Sequence, residues 1–118
     1  MIQGIGVDIV ELSRIKGMLE RQPRMIERVL TNSEREAAEA LRSEIRRIEY
    51  IAGRFAAKEA FAKAIGTGLG KLSFQDIEII NNSSGAPVLN SNVLTGQKCF
   101  ISISHSEQYA IAQVIIEA

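Results

Sequence analysis

The chain has 118 residues, 46% of them apolar, and its 14 basic and 14 acidic side chains balance. A chain of this length fits one domain, 1–118, that can bury a single modest core, and the apolar content excludes disorder. Zero net charge argues against sequence-blind nucleic-acid binding, and no apolar run reaches the roughly 18 residues of a membrane span, so neither nucleic acid nor membrane is expected as a partner.

The opening MIQGIGVDI alternates, with Ile5, Val7 and Ile9 on one face and Gly4, Gly6 and Asp8 on the other. It reads as a strand whose second face is bare backbone ending in a carboxylate. The same stretch has no basic n-region of a secretory leader, which predicts a soluble, cytoplasmic protein. From Glu11 to about Gln22 the period becomes helical, with Leu12, Ile15, Met18 and Leu19 together. Pro23 separates a short piece that runs to Leu30.

TNSERE offers two overlapping capping boxes, Thr31 with Glu34 and Ser33 with Glu36, so another helix starts there and breaks near Ser43. A longer helix is expected from about Ile45 to Ile65, stopped by Gly66. After GTGLGK the texture is that of strands. FQDIEII is one, followed by the turn cluster NNSSGAP, and CFISIS and YAIAQVII form a hairpin across HSEQ. Cys99, the only cysteine, has no partner for an internal disulfide and reads as strand packing in a reducing compartment. The order of strand, helices and antiparallel strands predicts an α+β fold.

One residue breaks the pattern of the long helix. At about 100° per residue, Ile48, Ala52, Phe55 and Ala62 fall within roughly 80° of arc, and Glu59 sits in their middle. Lys63 lies one turn on, while Arg54, Lys58 and Phe61 occupy another face. A lone buried carboxylate costs several kcal/mol unless protonated or paired. Three readings follow: a structural bridge to Lys63 or an arginine, a helix less buried than its stripe implies, or a metal ligand or catalytic group.

Asp8 favours the last. Two carboxylates from different elements suit Mg²⁺, which takes one or two of them, keeps several waters and binds substrate phosphates at its open positions. The glycines on the Asp8 face admit close approach, and Lys58 and Lys63 add the positive charge that phosphate chemistry needs. Whether the two carboxylates meet is not visible in one sequence. GTGLG follows a helix rather than preceding one, so it is no P-loop, and His105 is a lone histidine at a strand end.

Three segments, GIGVDIVE, GRFAAKEAFAKAIGTG and SISHS, occur in an order and spacing that resemble the holo-acyl-carrier-protein synthases, the short type of 4′-phosphopantetheinyl transferase. LSFQDIEI and GAP extend the likeness over nearly the whole chain. The resemblance implies that family's fold, with an antiparallel sheet packed on a long central helix, and transfer of 4′-phosphopantetheine from coenzyme A to a carrier-protein serine in fatty acid biosynthesis. It implies Asp8 and Glu59 as ligands of Mg²⁺ (or Mn²⁺), and Lys63 as a catalytic partner beside the phosphates. By the same likeness His105, Arg54, Lys58 and the turn Gly66, Thr67, Gly68 line the coenzyme A pocket. Arg14, Met18, Arg21, Arg24 and Arg28 match the surface that meets acidic acyl carrier protein, and the family's homotrimer places active sites between subunits. Ala62 stands where many members carry serine, and Ser106 where threonine is common; neither is a metal ligand.

Two rivals remain at this level. GVDIV also resembles the glycine-then-aspartate strand of ribonuclease-H-like, metal-dependent nucleases, which generally want further acidic ligands and a basic groove. A non-catalytic oligomeric module would leave Glu59 merely salt-bridged. Nicking of nucleic acid, or the absence of any transfer to a carrier protein, would single out one or the other.

Overall fold

A computed structural model describes residues 1–118. The middle of the longest element, helix α4 (Glu44–Ile65), is enclosed by the rest of the chain. Ser43 opens it by accepting a hydrogen bond from the Arg46 amide. Gly66 closes it at φ 91°, a left-handed conformation in which a side chain would be strained, and its amide donates to the carbonyls of Ala62 and Lys63. From Ile51 to Lys58 every residue of α4 is buried, as are Ala60, Phe61 and Ala62. A helix buried all round is a core element rather than a surface amphipath.

Strands β1 (Ile2–Glu11), β4 (Lys98–His105) and β5 (Tyr109–Glu117) form an antiparallel sheet in the order β1-β5-β4. Its inner face is built of small residues: Gly4 and Gly6 from β1 lie against Ala60 and Ala64 of α4, and Ala110 and Ala112 from β5 share the core with Ala52, Ala56 and Ala60. Small side chains let sheet and helix approach closely, while Val114, Ile116 and Phe61 fill the remaining space at about 1.5–3 kcal/mol of transfer energy each. Strands β2 (Ile77–Asn81) and β3 (Pro87–Ser91) pair as a separate two-stranded sheet. Three short helices, α1 (Leu12–Arg21), α2 (Met25–Val29) and α3 (Asn32–Glu39), connect β1 to α4. The architecture is α+β, an antiparallel sheet on a long central helix.

Three local details differ from the sequence reading. NNSSGAP is a shorter turn than its composition implies, because Pro87 begins β3, a first-residue position where its missing N–H is tolerated. Phe74–Asp76 is a 3₁₀ turn rather than strand, capped reciprocally by Ser73 and Asp76, and β2 starts only at Ile77. Of the two capping boxes, the one that forms is Thr31–Glu34.

The outer face of the three-stranded sheet is the reverse of a normal surface. Ile5 is 57% exposed, Val7 51%, Ile9 59%, Phe100 52% and Ile111 40%. The strand register sets them side by side, with Ile5 opposite Ile115, which in turn faces Phe100, and Ile9 opposite Ile111. The apolar face of β1 therefore looks outward, and its glycine face carries the packing.

Candidate active site

Asp8 lies on the inner, glycine-bearing face of β1 and is mostly buried, its side chain 18% exposed. Glu59 and Lys63 project from α4 one turn apart. Lys63 Nζ donates to Asp8 Oδ1 at 3.0 Å and to the Val7 carbonyl at 3.0 Å, which ties strand and helix together at this point. Glu59 is half-buried. Its pKa is raised, first by burial and then by the negative charge of Asp8, with Lys63 and Arg14 pulling the other way. The structure thus brings Asp8, Glu59, Lys63 and Arg14 into one charged cluster.

Two carboxylates held near each other in partial burial repel, and a divalent cation between them relieves that repulsion. No group of three or more His, Cys, Asp and Glu side chains gathers anywhere in the chain. A donor set of two carboxylates fits a hard oxygen-seeking ion that keeps waters and takes phosphate oxygens; it does not fit a closed zinc site.

Lys58 is a correction to the expected pocket. Its side chain is fully buried and paired with Glu34, itself fully buried, at 2.6 Å. The ammonium also donates to the carbonyls of Val29 at 2.7 Å and Phe74 at 3.0 Å, so all three protons are used inside the fold and none is left for a ligand. Glu34 in turn accepts from the amides of Thr31 and Ile79. Burial lowers the Lys58 pKa, and the Glu34 charge opposes that shift.

Arg54 and His105 meet in a different cavity. It has a volume of about 390 Å³, and Arg46, Glu49, Tyr50 and Asn81 also line it. Arg54 donates to the Ile79 carbonyl and to Asn81 Oδ1, and its guanidinium lies 4.1 Å from the centre of the Tyr50 ring. His105 Nδ1 is 3.3 Å from Glu49 Oε2. The register puts His105 beside Ala110, and Ala110 beside Val10. His105 is therefore two strand spacings, about 10 Å, across the sheet from β1 and two residues along from Asp8. Within one chain the carboxylate cluster and the Arg54–His105 cavity are separate. Arg46, Tyr50 and Arg54 recur every four residues on one face of α4, a spacing that was legible beforehand; the part played by Asn81 was not.

The turn Gly66, Thr67, Gly68 is open at the end of α4, with Gly66 and Gly68 at positive φ. Arg14, Arg21, Arg24 and Arg28 are exposed along α1 and around α2, whereas Met18 is partly buried against the core. A larger concavity of about 670 Å³ lies elsewhere, lined by Thr31, Gln75, Asp76 and Glu78 among others.

The fold, an antiparallel sheet on a long central helix, is shared with a known class of transferases. The 4′-phosphopantetheinyl transferase superfamily matches residues 4–114. A holo-acyl-carrier-protein synthase of Oceanobacillus iheyensis is 55% identical over 117 residues, covering 99% of this chain and 98% of its own. That of Anoxybacillus flavithermus is 56% identical over 118 residues, with 99% and 97% covered. A crystal structure of the Bacillus anthracis synthase in complex with coenzyme A (3′,5′-ADP) superposes with a TM-score of 0.91 at 50% identity, covering 100% of this chain and 98% of that one. The chain belongs to the holo-acyl-carrier-protein synthase family of the 4′-phosphopantetheinyl transferase superfamily, and it is an enzyme of that family.

Proposed function

We propose that the protein transfers 4′-phosphopantetheine from coenzyme A to a serine of apo acyl carrier protein, releasing adenosine 3′,5′-bisphosphate, as one transferase domain spanning 1–118. The observation that carries this reading is the Asp8–Glu59 pair, like charges facing across a strand and a helix with Lys63 beside them. Asp8 and Glu59 would hold Mg²⁺, with Mn²⁺ as a substitute. A divalent ion there supplies charge neutralisation at the coenzyme A diphosphate. In the transfer, the serine oxygen forms a bond to the β-phosphorus, the bridging P–O bond breaks, and the serine proton leaves to a base. Lys63, more than half exposed, can swing from Asp8 to the departing bisphosphate.

Coenzyme A recognition by Arg54, His105 and the Gly66–Gly68 turn is part of the same reading. Because the Arg54–His105 cavity stands apart from the carboxylates, a neighbouring copy supplies it, and the active site lies between subunits of a homotrimer. The exposed Ile5, Val7, Ile9, Phe100 and Ile111 support that assembly, since an apolar patch of this kind marks an interface. Arg14, Arg21, Arg24 and Arg28, with Met18 among them, offer the acidic carrier protein a basic docking surface. The setting would be fatty acid biosynthesis in the cytoplasm; no helix is long and apolar enough to cross a membrane.

Incubation with apo acyl carrier protein, coenzyme A and Mg²⁺, followed by mass spectrometry of the carrier, tests the reading. The expected result is one phosphopantetheine added per carrier, abolished by chelator. An unmodified carrier beside a working control enzyme would overturn it.

A further inference from the structure

The approach of β1 to α4 is closer than any side chain would allow. A Cβ built on Gly6 stands 1.8 Å from the Ala60 carbonyl oxygen and 2.9 Å from the Ala64 amide nitrogen; one on Gly4 stands 2.0 Å from the Ala64 carbonyl oxygen. These neighbours are helix backbone and cannot rotate away. Their places in the chain are telling. Ala60 follows Glu59, Ala64 follows Lys63, and Asp8 comes two residues after Gly6 on the same face of the strand.

We propose that Gly6 is a positioning residue of the metal site: by bringing β1 onto the α4 backbone it sets the span between the Asp8 and Glu59 carboxylates and the reach of Lys63 to Asp8. This rests on the reading of Asp8 and Glu59 as ligands of a divalent ion. Ordinary contact begins at 3.4 Å, against the 1.8 Å that a Cβ at position 6 would meet. Any side chain there forces strand and helix apart by about one carbon–carbon bond, ~1.5 Å. Metal–oxygen distances tolerate about 0.2 Å, and Mg²⁺ is stricter, at roughly 2.0–2.1 Å, than Ca²⁺ at roughly 2.3–2.6 Å. A separated site therefore loses Mg²⁺ first and tolerates larger ions better. Glycines needed for packing alone would not shift ion choice.

The experiment reads metal binding, not turnover. With coenzyme A present, Mn²⁺ is titrated into the protein by electron paramagnetic resonance, and Mg²⁺ or Ca²⁺ is then used to displace it. Gly6→Ala should weaken Mn²⁺ binding at least tenfold and move the displacement order toward Ca²⁺. Asp8→Glu should weaken the parent protein yet restore binding in Gly6→Ala, because one added methylene spans the new gap.

Leu89→Ala, in β3 and buried, should lower the melting temperature and leave ion order unchanged. Should Gly6→Ala fail to fold, Ala112→Val offers a milder wedge, since Ala112 is buried and pairs with Asp8. It should shift ion order in the same direction. Parental affinity and order in the folded wedge variants, or an equal shift in Leu89→Ala, would overturn the proposal. A parent protein that binds no divalent ion at all would instead remove the metal reading on which it stands.

Discussion

Lys58 and Glu59 are neighbours in one helix, yet they face opposite kinds of electrostatics. Lys58 ends in a closed knot in which every proton has an acceptor and Glu34 accepts from three donors. Glu59 ends in an open cluster where burial and the charge of Asp8 disfavour its ionised form. A satisfied charge pair ties elements together: the Glu34–Lys58 knot joins α2, α3, the 3₁₀ turn and β2 to α4. A frustrated pair with room left for a ligand suits the proposed chemistry, in which a cation and phosphates would supply the missing stabilisation.

The sharpest way to break this contrast is to remove a charge from each side. Asp8→Ala or Glu59→Ala should lower transfer by about 10³-fold or more with the fold intact, measured as carrier mass gain beside a circular-dichroism melt. Lys58→Met or Glu34→Gln alone should cost about 3–5 kcal/mol in urea unfolding, since each strands a buried partner. The double replacement Glu34→Leu with Lys58→Met should recover most of that loss, and a double variant as unstable as the singles would contradict the closed-knot account.

Smaller effects sharpen the picture. Arg24→Glu or Arg28→Glu should raise KM for carrier protein about tenfold and leave KM for coenzyme A nearly unchanged, with strong salt dependence in the parent enzyme. Equal effects on both substrates would argue against docking. The smallest effect concerns pH. Because the folded pKa of Glu59 is raised, its contribution to stability is full below the unfolded carboxylate value and is lost as pH rises through the folded one. Glu59→Gln, measured without metal, should therefore melt slightly higher than the parent at neutral pH, and this difference should vanish below about pH 4.

Much of this was legible in the residues. The long helix with Gly66 as its stop, the β4–β5 hairpin and the odd placement of Glu59 follow from period, capping and turn chemistry, which act over a few residues. The place of Lys58 is not legible in the sequence, because helical spacing shows which face a side chain occupies but not what waits there. Glu34, 24 residues earlier, is its partner, and as the acid of a capping box it gave no sign of burial. The β3 strand was missed because Pro87 and its turn-forming neighbours dominate the local composition.

The order of elements, the family and the candidate carboxylates are properties of the linear chain, because each rests on local patterns. The meeting of Asp8 with Glu59, the outward turn of Ile5, Val7 and Ile9, and the separation of the Arg54–His105 cavity from the carboxylates belong to the tertiary structure. Period-two alternation assigns residues to two faces of a strand without saying which is inside. Here Gly4 and Gly6 allow the closer approach to the helix, and that contact decided the matter.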